Sequence, residues 1–156
     1  MDLIICVYCS ASAKGNLSTT ELNTLLAECQ RNNAKIDVTG MLLYREGSFF
    51  QVLEGERTVI EALLDKIASD KRHNHTVKII SEPITNRSFG DWTMGYPDIS
   101  SEELAQIPGL NDFFTQSKSY LELGESRAKT LLAAFKDGKW QSSLSRKILN
   151  VGSSYF

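Results

Sequence analysis

The order of two apolar periodicities along the chain restricts its fold more than any other feature. Runs rich in apolar and β-branched side chains predict strands, and they occupy residues 3–8, 38–44, 49–53 and 77–83. Apolar residues at helical spacing follow the first and third runs, at residues 22–29 and 60–67. This β-α-β-β-α-β order predicts an α+β, ferredoxin-like fold, with two helices on one face of an antiparallel sheet.

Local signals refine the ends of these segments. Ser18 and Glu21 have the spacing of a capping box, in which each side chain bonds the other residue's backbone N–H, so the first helix is expected to begin there. Two asparagines at positions 32–33 favour its end, because asparagine is a poor helix former. Gly47 predicts a hairpin turn between the two middle runs, and residues 92–96 predict a short fifth strand.

The pattern divides the chain into three parts. Residues 1–96 are expected to form the sheet with its two helices, residues 97–140 a helical C-terminal extension, and residues 141–156, rich in serine and without period, a flexible tail. The extension carries an apolar set that either contacts a partner or, as we favour, packs on the open face of the sheet. Its members are Leu131, Leu132, Phe135 and Trp140.

Charge and hydropathy exclude several classes of protein. With 17 basic and 19 acidic residues the net charge is -2, so the chain lacks the positive field that non-specific nucleic-acid binding requires. No apolar run reaches the roughly 18 residues of a membrane span, and the first residues lack the basic flank of a signal peptide. The three cysteines, an odd number, argue for free thiols. These features predict a cytoplasmic protein that binds neither nucleic acid nor membrane.

Two short patterns suggest chemistry that their spacing does not support. Cys6 and Cys9 form a C-x-x-C, but a strand separates their Cα atoms by about 10 Å and turns the side chains to opposite faces, too far for a disulfide. His73 and His75 have no acid or thiol at ligand spacing, so we expect no metal site. The sequence contains neither a phosphate-binding glycine loop nor a serine-hydrolase elbow.

Two polar side chains fall on apolar strand faces. Period two places Tyr8 with Ile4 and Cys6, and Gln51 between apolar neighbours on the third strand. If those strands are central neighbours, both side chains are buried together, and an unpaired buried amide costs about 1–3 kcal/mol. Either they bond each other, a water or the backbone, or a flat polar ligand lies between the helices with Asn33 as a third contact. The sequence spacing leaves both alternatives open.

Six segments have an order and spacing that are typical of one known family. They are Tyr8-Cys9-Ser10, Arg31-Asn32-Asn33, Val38 to Tyr44, Phe49 to Gly55, Asp70 to His73, and Pro83 to Met94. From about residue 3 to 96 the chain thus resembles a BLUF domain, the blue-light sensor using FAD. It departs from the family pattern by lacking a basic residue before the first apolar run, and by having Val38 where isoleucine is usual.

The resemblance implies noncovalently bound FAD, with the isoalloxazine ring between the two helices. By the family pattern Tyr8 donates an electron and a proton to the excited flavin, and the Gln51 amide bridges Tyr8 to flavin N5 and O4. Asn33 corresponds to an amide that holds the polar edge of the ring. The implied cofactor-binding residues are Tyr8, Asn32, Asn33, Gln51, Arg72 and His73.

The resemblance also implies a signal rather than a reaction product. Ser10, Trp92 and Met94 are the expected relay from Gln51 to the C-terminal helices, and thence to a downstream signalling protein or to the protein's own assembly, so we expect a homo-oligomer and no enzyme activity. The rival interpretations are a small flavoenzyme, an acylphosphatase-like hydrolase or a colourless binding module on the same scaffold. A hydrolase would need a phosphate-gripping arginine in residues 10–16, where only Lys14 is basic.

Overall fold

The structure is a computed structural model that describes residues 2–45, 47–96 and 124–136. The predicted extension at residues 97–123 and 137–140 and the predicted tail at 141–156 lie outside the described residues. The elements in chain order are β1 (Leu3–Ser12), α1 (Thr19–Lys35), β2 (Thr39–Arg45), β3 (Ser48–Glu56), α2 (Arg57–Ser69), β4 (His73–Pro83) and α3 (Glu125–Lys136). No helix among the described residues is long and apolar enough to cross a membrane.

The four strands form one sheet in the order β2-β3-β1-β4, with every neighbouring pair antiparallel. Two helices, each following a strand, complete the ferredoxin-like α+β fold that the sequence predicts. The first and third strands are central neighbours, as expected, and their register places Tyr8 opposite Gln51. This register sets the geometry of the candidate site.

The ends of the elements follow both local and long-range interactions. The predicted capping box is present: the Ser18 hydroxyl accepts from the Glu21 N–H at 3.1 Å, and the Glu21 carboxyl accepts from the Ser18 N–H at 3.3 Å. Gly47 adopts the predicted positive φ, of 85°, in the hairpin turn. α1 continues to Lys35, past the predicted end at residues 32–33, because Asn33 is buried and bonded within the protein and its propensity is overridden.

The sheet has an apolar cluster on each face. α1 and α2 cover the face that carries Tyr8, whereas α3 covers the other. On α3 the residues Ala128, Leu131 and Leu132 are buried against the sheet, and Lys129 forms a 3.1 Å ion pair with Glu82 of β4. Leu131 and Leu132 thus belong to the core, as in the favoured alternative, and are not a free contact surface. The Phe135 side chain and Trp140 lie outside the described residues.

The predicted fifth strand at residues 92–96 is wrong. Of these residues only Gly95 forms a bridge, an isolated parallel one to Met41 of β2. A strand would bond alternate residues to its neighbour, but here the carbonyls of Thr93 and Met94 accept from side chains of α1. Residues 92–95 therefore form an irregular strip between α1 and the edge of β2.

A buried carboxyl group fixes the loop that leads into this strip. Glu54 of β3 has no exposed surface, and its oxygens accept from the backbone N–H groups of Ser88 at 2.6 Å and Phe89 at 2.8 Å and from the Thr39 hydroxyl at 3.2 Å. Arg87 donates to the Thr39 hydroxyl at 2.9 Å and to the Glu54 carbonyl at 3.2 Å. Glu54 therefore connects the loop after β4 to the centre of the sheet.

We expect Glu54→Ala to lower the free energy of unfolding by about 2–4 kcal/mol, because it leaves the Ser88 and Phe89 N–H groups unsatisfied in a buried place. Urea unfolding monitored by circular dichroism measures this loss. The matched control is Glu56→Ala at the exposed end of the same strand, which should change the stability by less than about 0.5 kcal/mol. Equal losses in the two variants would contradict the role assigned to Glu54.

Candidate functional site

A cavity of about 660 Å³ lies between α1, α2 and the helix-covered face of the sheet. It is lined by all six side chains that the sequence proposes as cofactor ligands: Tyr8, Asn32, Asn33, Gln51, Arg72 and His73. These residues come from β1, the last turn of α1, β3, and the turn before β4 together with the first residue of that strand. The fold thus brings four separate parts of the chain to one site.

Tyr8 and Gln51 form a buried hydrogen-bonded pair on the floor of this cavity. The Tyr8 hydroxyl donates to Oε1 of Gln51, and the two residues are 0% and 5% exposed. Burial raises the pKa of Tyr8 well above its usual range, so its phenol is neutral and able to donate at physiological pH. The mutual hydrogen bond, one of the alternatives that the sequence left open, is present, and the cavity beside it also leaves space for a ligand.

The other end of the Gln51 amide faces Met94. Its Nε2 lies 3.5 Å from the Met94 sulfur, a weak acceptor, and Met94 is buried in the helix-side cluster. Trp92 instead packs against the cluster on the opposite face, which α3 covers. Of the predicted relay residues Trp92 and Met94, Met94 is therefore the one next to Gln51, and Trp92 packs on the opposite side of the sheet.

His73 and the predicted relay residue Ser10 form a second polar contact at the cavity. Nδ1 of His73 lies 3.1 Å from the Ser10 hydroxyl, and the imidazole packs at 5.1 Å against the Phe49 ring. Burial lowers the pKa of His73, so the ring is neutral near pH 7. His73 therefore contributes a hydrogen-bonding group, not a charge.

Arg72 lines the cavity, but its guanidinium is already bonded to two carboxyl groups. It contacts Asp70 at 2.7 Å and Glu28 of α1 at 2.5 Å. The hydrogen bonds from Arg72 lower the pKa of Asp70 to about 2. Arg72 thus ties the turn before β4 to α1 and closes one side of the cavity.

Gln30 is a residue that the sequence analysis missed. It is 6% exposed, and its Nε2 donates to the Met94 carbonyl at 3.0 Å, while Nδ2 of Asn33 donates to the Thr93 carbonyl at 2.8 Å. The signal in the sequence was its place on the apolar face of α1, four residues after Leu26 and three before Asn33. A polar residue at such a position needs a partner, just as Tyr8 and Gln51 do.

The lining suits a flat ring with a polar edge. Apolar side chains make up much of its lining, together with a phenol and three amides. The apolar side chains are Leu25, Ile36, Leu42, Phe49, Val59, Ala62, Leu63 and Ile67. Lys35 and Lys66 also line the cavity. These residues therefore fit FAD. Within residues 2–45, 47–96 and 124–136 no three His, Cys, Asp or Glu side chains come together as a metal site would require.

Comparison with known families gives an independent match. The family model described as sensors of blue-light using FAD, BLUF, matches residues 3–95, which is more than half of the chain. The matched range begins at β1 and ends in the strip that carries Met94. It therefore contains the whole sheet and both α1 and α2.

Relatives and solved structures agree with this match. Photoactivated adenylate cyclase subunit beta of Euglena longa is 35% identical over 109 residues, which is 69% of this chain and 12% of that protein. The blue light- and temperature-regulated antirepressor BluF of Escherichia coli is 30% identical over 103 residues, 66% of this chain and 25% of that protein. The structure titled BlsA ground state has a TM-score of 0.73 and 25% identity, and the match covers 88% of this chain and 90% of that one. The chain thus spans about an eighth of the length of the first of these relatives.

A thiol in the cavity wall provides a chemical test of this geometry. Burial raises the pKa of Cys29 to about 11, so only about one thiol in a thousand is ionised at pH 8. We expect iodoacetamide to alkylate Cys29 slowly at pH 8. The rate should rise about tenfold per pH unit up to pH 10, because the thiolate fraction rises by that factor. Addition of FAD should slow the alkylation further. Peptide mapping by mass spectrometry measures the rates.

The control for this labelling is the protein in urea, where all three cysteines should react quickly because burial is lost. Alkylation of Cys29 in the folded protein as fast as in urea would contradict the assigned burial. Equal rates with and without FAD would contradict the place of Cys29 in the cofactor cavity.

Proposed function

Because this chain belongs to the BLUF family, the sensors of blue light using FAD, we propose that Tyr8 and Gln51 are its light-driven switch and that Met94 receives the change. The protein is a blue-light photoreceptor with FAD as its cofactor. The observation that supports the proposed switch is the continuous buried contact from the Tyr8 hydroxyl through the Gln51 amide to the Met94 sulfur, beside the cavity.

The residues that would hold FAD divide by chemistry. The amides of Asn32, Asn33 and Gln51 would bond the polar edge of the ring, and the apolar walls of α1 and α2 would cover its faces. Lys35 and Lys66 would supply positive charge for the diphosphate. When bound, FAD supplies absorption of blue light and an excited state that accepts an electron and a proton.

Tyr8 is the proposed source of that electron and proton. Its hydroxyl already points a proton at Gln51, and its raised pKa keeps the proton in place in the dark. Gln51 carries donors and an acceptor on one rotatable group, so its rotation or tautomerisation exchanges the hydrogen bonds that it makes. In this proposal Tyr8 would regain the electron and the proton, and the altered Gln51 amide would persist.

A changed Gln51 amide would act first on Met94, because the amide nitrogen faces the Met94 sulfur. Trp92, two residues away, packs in the cluster that α3 covers. We propose that the strip at residues 92–95 carries the change from the cavity to α3, with Ser10 and His73 adjusting beside it. A packed core favours discrete alternatives, so a single exchanged hydrogen bond can select between two arrangements.

We propose a sensor without turnover of its own, which passes its signal to a partner protein or to its own oligomer. A BLUF domain is a sensor, and relatives with this domain are named as a photoactivated cyclase and a light-regulated antirepressor. The family match does not support the alternative of an acylphosphatase-like hydrolase. The free thiols of Cys6, Cys9 and Cys29 support a place in the reducing cytoplasm.

We expect Tyr8→Phe to bind FAD and stay yellow but to lose the light-induced red shift, because the phenol that donates the proton is gone. Gln51→Leu should lose the normal shift as well, since it has no amide to exchange hydrogen bonds. Absorption spectra before and after blue illumination measure both. The matched control is Tyr44→Phe, which removes a phenol hydroxyl bonded to the Leu17 and Gly47 N–H groups outside the cavity and should keep the shift. A normal shift in Tyr8→Phe would refute the donor role.

For the output, we expect size-exclusion profiles of the FAD-bound protein to differ between darkness and blue light, alone or mixed with a candidate partner. The reason is that the strip and α3 share the cluster into which Trp92 packs. Tyr8→Phe, measured in parallel, should give the dark profile under both conditions. Identical profiles in both states throughout would count against assembly as the output.

A further inference from the structure

The strip at residues 92–95 is held by its carbonyl groups in an unusual way. All four consecutive carbonyls accept a hydrogen bond: Trp92 from the Gly40 N–H at 3.0 Å, Thr93 from Asn33 Nδ2 at 2.8 Å, Met94 from Gln30 Nε2 at 3.0 Å, and Gly95 from the Leu42 N–H at 2.7 Å. The edge of β2 thus binds the outer two carbonyls, and side chains of α1 bind the inner two. The backbone around Met94 is fixed from both sides.

We propose that Gln30 is a positioning residue that sets the Met94 thioether against the Gln51 amide and thereby controls how fast the light-induced state returns to the dark state. The inference rests on the proposed function of Gln51. Gln30 touches Met94 at the carbonyl, while the sulfur of the same residue lies 3.5 Å from Nε2 of Gln51. Met94 therefore links the amide of Gln30 to the amide of Gln51.

Gln30 acts through Met94, because it is not among the described side chains that line the cavity. Asn33, the other amide on this face of α1, does line the cavity, so a change at Asn33 would disturb the cofactor as well as the strip. Gln30 thus offers the contact to the strip without the contact to the cofactor. A substitution at this position separates the two effects.

The hydrogen bond from Gln30 to the Met94 carbonyl supports the dark arrangement, so its loss should slow the recovery. In the arrangement described, the bond from Gln30 holds Met94 where it faces Gln51. After Gln51 has exchanged its hydrogen bonds, the same bond favours the return of Met94 to this place. Without it the strip has more freedom, and the return to the dark arrangement is slower.

The first measurement is the thermal recovery of the dark absorption spectrum after a blue pulse, with FAD bound. We expect Gln30→Leu to keep the red shift and to slow the recovery about two- to tenfold, the range that corresponds to the net contribution of one hydrogen bond. Gln30→Met has an unbranched side chain of similar length without a donor, and it should slow the recovery likewise. If Gln30→Leu folds poorly, the recovery rate of Gln30→Met tests the proposal. Asn23→Leu, which removes a partly exposed amide two turns earlier on α1, is the control and should recover at the wild-type rate.

The second measurement observes the bond itself without any photochemistry. Protein labelled with carbonyl-¹³C methionine contains three labelled carbonyls, at Met1, Met41 and Met94, and the infrared band that disappears in Met94→Leu is assigned to Met94. In Gln30→Leu this band should move to higher frequency, because the carbonyl loses its donor. In Asn23→Leu it should stay in place.

Different results would overturn the role of Gln30 and the proposed function. A wild-type red shift with unchanged recovery in both Gln30 variants, or a Met94 band that does not move in Gln30→Leu, would overturn the role of Gln30 and leave the switch intact. A wild-type protein with bound FAD and no red shift would overturn the proposed function, and the role of Gln30 would fall with it.

Discussion

The site depends on one cross-strand register, which places Tyr8 opposite Gln51 in the two central strands of the sheet. A shift of one residue would turn every side chain of a strand to the other face, so the register is enforced by both apolar clusters at once. The phenol and the amide are therefore held together by the packing of the whole sheet, and their mutual hydrogen bond satisfies two polar groups that burial would otherwise leave unpaired.

The sequence could predict those features of the site that depend on side-chain alternation and on the order of strands and helices. Alternation placed Tyr8 and Gln51 on apolar faces of their strands, and the β-α-β-β-α-β order made these strands neighbours. Strand length was harder to predict, because β1 runs on to Ser12 and β4 starts at His73, where polar residues are paired with each other across the two strands. There the pairing of the backbones overrides the local composition.

The strip could not be predicted, because its partners lie far away in the chain. The amides that bind the Thr93 and Met94 carbonyls come from residues 60 and 64 positions earlier, and nothing within residues 92–96 specifies them. A strand was the natural expectation for a short run with tryptophan and tyrosine. Such a run does not indicate that side chains of α1 donate to the carbonyls that a strand would use to bond its neighbour.

Two buried polar anchors make the strip a discrete element. Glu54 binds the N–H groups of Ser88 and Phe89 in the loop just before it, and Gln30 and Asn33 bind its middle. Met94 and Trp92 leave this element toward opposite faces of the sheet, one beside Gln51 and the other in the cluster that α3 covers. In the proposed relay, a displacement at Met94 would pass along the strip to Trp92, because hydrogen bonds to the carbonyls of residues 92–95 hold both residues on one fixed backbone segment.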